Sequence, residues 1–195
     1  MDTKFKTELC ELAFKYGADK CPQIGHAYTP FYYEYLKDKR QSIRKVLEVG
    51  IGNRRQIKYI PGVVIGASIR MWRDFFPNAH IYGADNAKES FFTDDRITTY
   101  FCDETKKEDI LKLVENTGTD IDLVVDDACH HFSNQIFLFQ TLMPLLNKGV
   151  IYIIEDCRRT RMISKMFPEY ESYIPKLPVN DNPLARDGVI IFKHK

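Results

Sequence analysis

Short apolar runs alternate along the chain with segments of helical periodicity. The runs with the length of strands are residues 46–50, 80–85, 97–103, 121–127, 149–156 and 188–192. The fourth and fifth are nearly continuous in apolar residues, which is typical of strands buried on both faces of a parallel sheet. This alternation of strand and helix predicts an α/β fold with a doubly wound, mostly parallel sheet.

Three helices are predicted between these strands. Apolar residues recur at spacings of three and four at Phe132, Ile136, Phe139, Met143 and Leu146. That spacing indicates an amphipathic helix. A second helix is predicted from Ala67 to Phe76, ended by Pro77. Thr105 and Glu108 have the spacing of a capping box and predict the start of a third.

Two stretches and one insertion lie outside this regular pattern. Residues 1–41 are predicted to form helices that cap a core of residues 42–195, and the whole chain is predicted to be one domain. Residues 157–187 contain four prolines and predict a loop-rich return to the last strand. Residues 53–65 lengthen the first strand-to-helix connection, as insertions beside a ligand site often do.

Composition narrows the function classes. With 28 Lys and Arg against 27 Asp and Glu in 195 residues, the net charge is +1, so no global field would recruit nucleic acid or an anionic membrane. The start of the chain lacks the apolar stretch of a signal peptide, and no window has the length of a membrane span. Five cysteines without a C-x-x-C pair indicate reduced thiols. We therefore expect a cytoplasmic protein without nucleic-acid or membrane partners.

Acidic residues lie at the ends of the first five predicted strands. They are Glu48, Asp85, Asp103, the pair Asp126 and Asp127, and the pair Glu155 and Asp156. Ligands of an open parallel sheet bind beyond the carboxyl ends of its strands. One such acid usually caps the next helix, but five strands ending in acids point to a shared site. Clustered carboxylates need compensation, which a ribose, an amino group or a divalent cation would supply.

A metal site is predicted at Asp127, Glu155 and Asp156. Three carboxylates at the ends of adjacent strands form a hard oxygen site suited to Mg²⁺ or Mn²⁺. His130 follows within one turn and is the predicted general base, since a metal-polarised alcohol could lose its proton to a neutral imidazole.

A nucleoside-type cofactor is predicted beside the metal. Gly50 and Gly52 after the first strand allow close approach of a ligand to the backbone, and Asp85 ends the second strand, where an acid commonly holds ribose hydroxyls. Arg55 stands where a dinucleotide fingerprint would need its third glycine. This favours an uncharged nucleoside over a pyrophosphate.

Several motifs together resemble a known family. They are Asp126-Asp127-Ala-Cys-His130 with Ile153-Ile-Glu155-Asp156, Lys15-Tyr-Gly-Ala-Asp-Lys20 with His26-Ala-Tyr-Thr29, Leu47-Glu-Val-Gly-Ile-Gly52, and Gly66–Pro77 leading into Tyr82-Gly-Ala-Asp85. In this order and spacing, over residues 13–156, the chain resembles the metal-dependent, S-adenosylmethionine-dependent sugar O-methyltransferases of the macrocin and mycinamicin type. The resemblance implies a Rossmann-like class I methyltransferase fold.

The resemblance also implies roles for individual residues. The predicted cofactor contacts are Tyr28, Glu48, Gly50, Ser68, Asp85, Asp103 and Asp126. The predicted metal ligands are Asp127, Glu155 and Asp156, and the catalytic residues are His130 and Asp127. Tyr28 is also the implied contact to the acceptor. Apart from the resemblance, His131 and Arg158 are predicted acceptor contacts, and Arg158 could either meet a phosphate of a nucleotide-sugar or belong to the solvated surface, which is slightly favoured. The implied reaction is methyl transfer from S-adenosylmethionine, with Mg²⁺ or Mn²⁺, to a hydroxyl of a sugar or glycan such as a deoxysugar.

Other functions remain open on the sequence. A nicotinamide-dependent oxidoreductase could use the same scaffold, although Arg55 argues against it. A nucleic-acid methyltransferase would be expected to carry an Asn-Pro-Pro-aromatic motif where Asp126-Asp127-Ala128-Cys129 stands. A catalytically inactive glycan-binding module is a third alternative. The sequence leaves both a monomer and a homo-oligomer open.

Overall fold

The computed structural model describes residues 6–52, 64–178 and 188–195. The helices in this part are α1 (Glu8–Tyr16), α2 (Thr29–Leu36), α3 (Ala67–Phe75), α4 (Lys107–Thr117), α5 (Phe132–Leu142) and α6 (Thr160–Met166). The strands are β1 (Lys45–Val49), β2 (His80–Asp85), β3 (Thr93–Asp94), β4 (Ile97–Phe101), β5 (Leu123–Asp126), β6 (Ile151–Cys157), β7 (Tyr170–Tyr173) and β8 (Gly188–His194).

One mixed sheet contains all these strands, in the order β3-β4-β2-β1-β5-β6-β8-β7. The central strands β4, β2, β1, β5 and β6 run parallel to one another. β3, β7 and β8 pair antiparallel at the two edges. The predicted mostly parallel α/β sheet is confirmed, and all six predicted strands are present.

Helices cover both faces of the sheet. α1, α2 and α3 pack on one face, where the core includes Leu9, Tyr32 and Trp72. α4 and α5 pack on the opposite face through residues such as Leu113 and Phe139. The central strands are consequently buried on both sides, and every residue of β5 and β6 is buried. The sheet is doubly wound, as predicted.

Residues 157–187 were expected to be loop-rich, and this expectation is wrong for their first half. Residues 160–166 form α6, and residues 170–173 form the edge strand β7, which pairs with β8. β7 alternates half-buried and exposed residues, so it lacks the apolar run that marks the central strands. Residues 179–187 lie outside the described part.

Two predicted helix boundaries are also wrong. The N-cap of α4 is Lys106 rather than Thr105. Thr105 lies in the preceding turn, where its hydroxyl donates a hydrogen bond to Asp103 Oδ1 over 2.6 Å, so there is no capping box. α5 ends at Leu142 and a 3₁₀ turn follows over Met143–Leu145, because Pro144 cannot continue the α-helical hydrogen bonding.

The predicted insertion at 53–65 lies outside the described residues except for Val64 and Ile65. Among the helices of the described part, none combines the length and the apolar character that crossing a bilayer requires.

Candidate active site

The carboxyl ends of β5 and β6 bring Asp127, His130 and Asp156 together. His130 Nε2 lies 3.1 Å from Asp127 Oδ1 and 3.4 Å from Asp156 Oδ2. One ligand atom from each residue lies within 4.8 Å of the others, which is close enough for a shared metal ion. The two carboxylates supply oxygen ligands of the kind that Mg²⁺ and Mn²⁺ prefer, and His130 lies beside them as a candidate base. The fold thus brings these three residues close together, as the sequence predicted.

The backbone around this cluster adopts uncommon conformations. His130 and Asp156 have positive φ angles of 58° and 49°. The register between β6 and β8 shifts between Ile154 and Cys157, so Asp156 lies in an irregularity of the strand. Non-glycine residues in the left-handed region occur preferentially at functional sites, where the surrounding structure holds them.

Gly50 allows the β5 end to approach β1. Its φ is 90°, and a Cβ atom at this position would lie 2.1 Å from the carbonyl oxygen of Asp127. The backbone amide of Asp127 donates to the Val49 carbonyl over 2.8 Å. The predicted cofactor glycine therefore also leaves the space that the Asp127 backbone occupies.

The N-terminal segment reaches into the same site. Lys20 Nζ lies 2.5 Å from Asp127 Oδ2 and 2.5 Å from Glu155 Oε2. The Tyr32 hydroxyl donates to Glu155 Oε1 over 2.8 Å. The predicted ligand Glu155 thus directs its oxygens to Lys20 and Tyr32, and it is absent from the set that Asp127, His130 and Asp156 form.

Tyr28 and His26 lie behind Asp156. The Tyr28 hydroxyl donates to Asp156 Oδ1 over 2.5 Å, and His26 Nδ1 lies 3.3 Å from the same oxygen. The two rings stack with centroids 4.6 Å apart. Tyr28 was predicted to contact cofactor and acceptor. Its side chain is almost fully buried, its hydroxyl binds Asp156, and both contacts stay predictions.

Burial and charge shift the pKa values of this cluster. Burial would lower the pKa of Lys20, but the charges of Asp127 and Glu155 hold it well above its usual value. Burial raises the pKa of Glu155 well above its ordinary range, against the opposing charge of Lys20. Burial would also raise the pKa of Asp127, yet Lys20 and His130 keep it low.

His130 gains its proton readily in this setting. Burial would lower its pKa, but the hydrogen bond and charge of Asp127, together with the charge of Asp156, raise it to about 9. A cation held by the same carboxylates would reduce this attraction for the proton.

The predicted cofactor acids lie at the ends of their strands. Asp85 is buried at the end of β2 and accepts hydrogen bonds from the backbone amides of Ile51, over 3.2 Å, and Ala87, over 2.9 Å. Asp126 is fully buried at the end of β5, and its Oδ2 has no hydrogen-bond partner among the described residues. Burial raises the pKa of Asp126 to about 8. Asp103 follows β4 and is tied to the turn through Thr105.

Glu48 and Ser68, both predicted cofactor contacts, bind each other. The Ser68 hydroxyl donates to Glu48 Oε1, and Trp72 Nε1 donates to Glu48 Oε2 over 2.6 Å. Glu48 is fully buried within β1 rather than at its end. In this structure the pair joins β1 to the start of α3.

A cavity of about 220 Å³ opens beside His130. Its lining consists of His130, His131, Phe132, Gln135, Arg158 and Arg159. The Arg159 guanidinium lies 5.0 Å from the centroid of the Phe132 ring. Two of the predicted acceptor residues, His131 and Arg158, therefore share a cavity with the predicted base, whereas Tyr28 is absent from its lining.

Sequence reasoning assigned no role to Lys20, His26, Tyr32 or Gln135. The Gln135 side chain donates to the backbone carbonyl of Glu155 over 2.8 Å. Lys20 and His26 belong to the motifs that carry the family resemblance, and that was the only available signal for them. Lys20 is 107 positions from Asp127 in the sequence, so local spacing could not connect the two.

Comparison with solved protein structures identifies the class of the fold. No family model matches the chain. MycE, a methyltransferase of the mycinamycin biosynthetic pathway solved with Mg, S-adenosylhomocysteine and mycinamycin VI, superposes with a TM-score of 0.73 at 25% identity, over 97% of this chain and 55% of MycE. An O-methyltransferase from Bacillus cereus superposes with a TM-score of 0.61 at 16% identity, over 97% of this chain and 92% of that one. The chain thus has the class I S-adenosylmethionine-dependent methyltransferase fold.

Comparison with related sequences identifies the family within this class. The chain is 32% identical over 148 residues to 8-demethyl-8-alpha-L-rhamnosyl tetracenomycin-C 2'-O-methyltransferase from Streptomyces olivaceus, covering 76% of this chain and 37% of that enzyme. It is 33% identical over 153 residues to mycinamicin VI 2''-O-methyltransferase from Micromonospora griseorubida, covering 77% and 36%. The predicted resemblance is confirmed: the chain is a homologue of sugar O-methyltransferases. It spans little more than a third of the length of these relatives.

Proposed function

We propose that this chain transfers a methyl group from S-adenosylmethionine to a hydroxyl of a sugar, with the help of Mg²⁺ or Mn²⁺. The observation that carries the proposal is the convergence of Asp127, His130 and Asp156 at the carboxyl ends of β5 and β6. This is where an open parallel sheet binds its ligands. The relatives named above are neither oxidoreductases nor nucleic-acid methyltransferases.

Asp127 and Asp156 would hold the cation, since each turns one carboxylate oxygen towards His130. When bound, a divalent cation supplies positive charge that lowers the pKa of a nearby hydroxyl. His130 Nε2 would accept the hydroxyl proton. The acceptor oxygen then forms a bond to the methyl carbon while the carbon–sulfur bond breaks, and the products are a methyl ether and S-adenosylhomocysteine.

The cofactor would lie along the ends of β1, β2 and β4. Asp85 follows β2, where the fold commonly places an acid for ribose hydroxyls. Asp126 supports the methionine end, because its buried Oδ2 has no protein partner among the described residues and a cofactor amino group would satisfy it. Asp103, Gly50, Glu48 and Ser68 stay predicted contacts.

The acceptor would enter the cavity lined by His131, Phe132 and Arg158, because His130 forms part of the same wall. A sugar ring could stack on Phe132, and the polar side chains could bind its hydroxyls. The names of two relatives specify a rhamnosyl tetracenomycin and a mycinamicin as acceptors, which favours a deoxysugar glycoside. The cytoplasmic location and any homo-oligomer stay predictions of the sequence.

The test is a methyl-transfer assay that measures release of S-adenosylhomocysteine with Mg²⁺ and a panel of deoxysugar glycosides. We expect transfer to stop with EDTA and to return when Mg²⁺ is added in excess. His130→Gln should lower the rate by about 100-fold or more, since a general base contributes at least that factor. Asp127→Asn should lower both the rate and the apparent affinity for Mg²⁺.

A matched control is His80→Gln. His80 begins β2 at the opposite end of the sheet, where its Nε2 lies 2.9 Å from the Thr98 hydroxyl. This variant should keep its full rate. Transfer that resists EDTA, or that survives both His130→Gln and Asp127→Asn, would contradict the proposal.

A further inference from the structure

Lys20 is a buried ammonium in the centre of the acidic cluster. Its side chain is 1% exposed, and its Nζ contacts Asp127 Oδ2 and Glu155 Oε2 at 2.5 Å each. A third carboxylate oxygen, Glu48 Oε1, lies 3.8 Å away. Burying a lysine is costly unless its charge is compensated. The carboxylates therefore compensate the charge of Lys20, and Lys20 compensates the charge of the carboxylates.

The two carboxylates beside His130 divide their oxygens in the same way. Asp127 gives Oδ2 to Lys20 and Oδ1 to His130. Asp156 gives Oδ1 to Tyr28, and its Oδ2 faces His130. In both cases a side chain from the N-terminal segment binds one carboxylate oxygen, and the other oxygen is the one that lies near His130.

We propose that Lys20 is a positioning residue which fixes Asp127 through Oδ2 and thereby presents Oδ1 to a divalent cation. The inference rests on the proposed function, because it requires that Asp127 bind the cation. Partners that orient metal ligands typically change metal affinity by 10- to 100-fold when they are removed. Glu155 would act through Lys20, since it shares the ammonium with Asp127.

The direction in which the affinity for a divalent cation changes distinguishes a positioning role of Lys20 from a purely electrostatic one. Lys20→Met removes one positive charge beside the site, and charge alone would make a divalent cation bind more tightly. Loss of positioning has the opposite sign, because Asp127 would be free to turn away from the cation. A fall in affinity in a more negative site would therefore be specific to positioning.

The experiment measures Mn²⁺ binding to the intact protein by electron paramagnetic resonance of the free ion, well below the melting temperature. We expect Lys20→Met to weaken Mn²⁺ binding by at least about 10-fold. The control Lys45→Met removes a lysine that bonds Asp120 at the start of β1, away from the site, and should leave Mn²⁺ affinity unchanged. A loss of folding stability alone would lower the melting temperature without changing affinity in the folded protein.

If Lys20→Met fails to fold, the double variant Lys20→Met with Glu48→Gln removes one charge of each sign and keeps Asp127 and Glu155. It should show the same loss of affinity. Unchanged or tighter Mn²⁺ binding in the folded variant would overturn the role of Lys20 and leave the proposed function intact. Absence of Mn²⁺ binding in the unmodified protein would instead overturn the metal-dependent function, and the role of Lys20 with it.

Discussion

At the scale of single residues, the site depends on backbone positions that few side chains tolerate. His130 and Asp156 adopt left-handed φ angles, and Gly50 stands where the end of β1 meets the backbone of Asp127. Left-handed conformations cost of order 1 kcal/mol or more in a non-glycine residue. The structure maintains them where the candidate ligands and base come together, which agrees with a functional reason for the strain.

Gly50→Ala should destabilise the protein by about 2 kcal/mol or more, because it combines an unfavourable φ with steric overlap. The added Cβ would lie 2.1 Å from the Asp127 carbonyl oxygen, which is backbone and cannot rotate away. Urea unfolding measures the loss. Gly149→Ala is the matched control, since Gly149 also has a positive φ but its Cβ would meet no atom within 4 Å. Equal losses in the two variants would show that the contact with Asp127 contributes nothing.

The residues of the site differ in how far the sequence could predict them. Asp127, His130 and Asp156 were predictable because parallel strands deliver their carboxyl ends to one edge, and each residue lies at or just after the end of a strand that the apolar pattern identifies. Lys20 was not predictable from its surroundings, since a lysine in a polar loop is usually solvated. The direction of Glu155 was also hidden, because it depends on partners that lie far away in the sequence.

At the scale of elements, α1 and α3 are joined by a polar contact at the edge of their apolar interface. Asp74 accepts hydrogen bonds from Tyr16 over 2.6 Å, Lys15 over 2.9 Å and Arg73 over 2.9 Å. Burial would raise the pKa of Asp74, but these donors lower it to about 2. The ionised carboxylate is therefore more stable in the folded state than in the unfolded chain.

This contact predicts a pH-dependent contribution to stability. Because the folded pKa lies below the unfolded value, the stabilisation is complete above about pH 4 and is lost as the pH falls towards 2. Asp74→Asn should cost about 2 kcal/mol at pH 6, and the difference from the unmodified protein should shrink between pH 4 and pH 3. Urea unfolding at each pH measures it. Asp95→Asn, at a carboxylate that is 82% exposed and 3.7 Å from Arg96, should cost less than about 0.5 kcal/mol. A pH-independent cost at Asp74 would contradict the assignment.

The elements themselves follow the sequence wherever burial is complete. β5 and β6 are buried along their whole length, and their apolar runs identified them. β7 was missed because an edge strand needs no continuous apolar run, and Pro168 and Pro175 on either side favoured a loop. The start of α4 was misplaced because the Thr105 hydroxyl bonds Asp103 instead of the first turn of the helix.

At the scale of the whole molecule, the N-terminal segment and the sheet share their polar core. Lys20, Tyr28 and Tyr32 bind the carboxylates of Asp127, Asp156 and Glu155. Tyr32 also packs on Trp72 of α3, with ring centroids 5.8 Å apart. Although the net charge of the whole chain is close to zero, carboxylates are concentrated at one edge of the sheet. Hydrogen-bond donors from the first 41 residues compensate them there.

We expect the segment and the sheet to unfold in one transition, because separating them would leave buried carboxylates without partners. Fluorescence of Trp72, the single tryptophan, reports the contact between α3 and the segment, and far-ultraviolet circular dichroism reports the whole chain. The two urea curves should coincide.

Removal of residues 1–41 should prevent cooperative folding at neutral pH, because Glu155 and Asp127 would lose Lys20. The variant Lys37→Gln in the same segment affects an exposed lysine that pairs with Glu34 and lies 5.9 Å from the centroid of the Tyr33 ring, and it should leave both curves unchanged. Separate transitions, or a truncated chain that unfolds like the full one, would show instead that the segment is a dispensable cap.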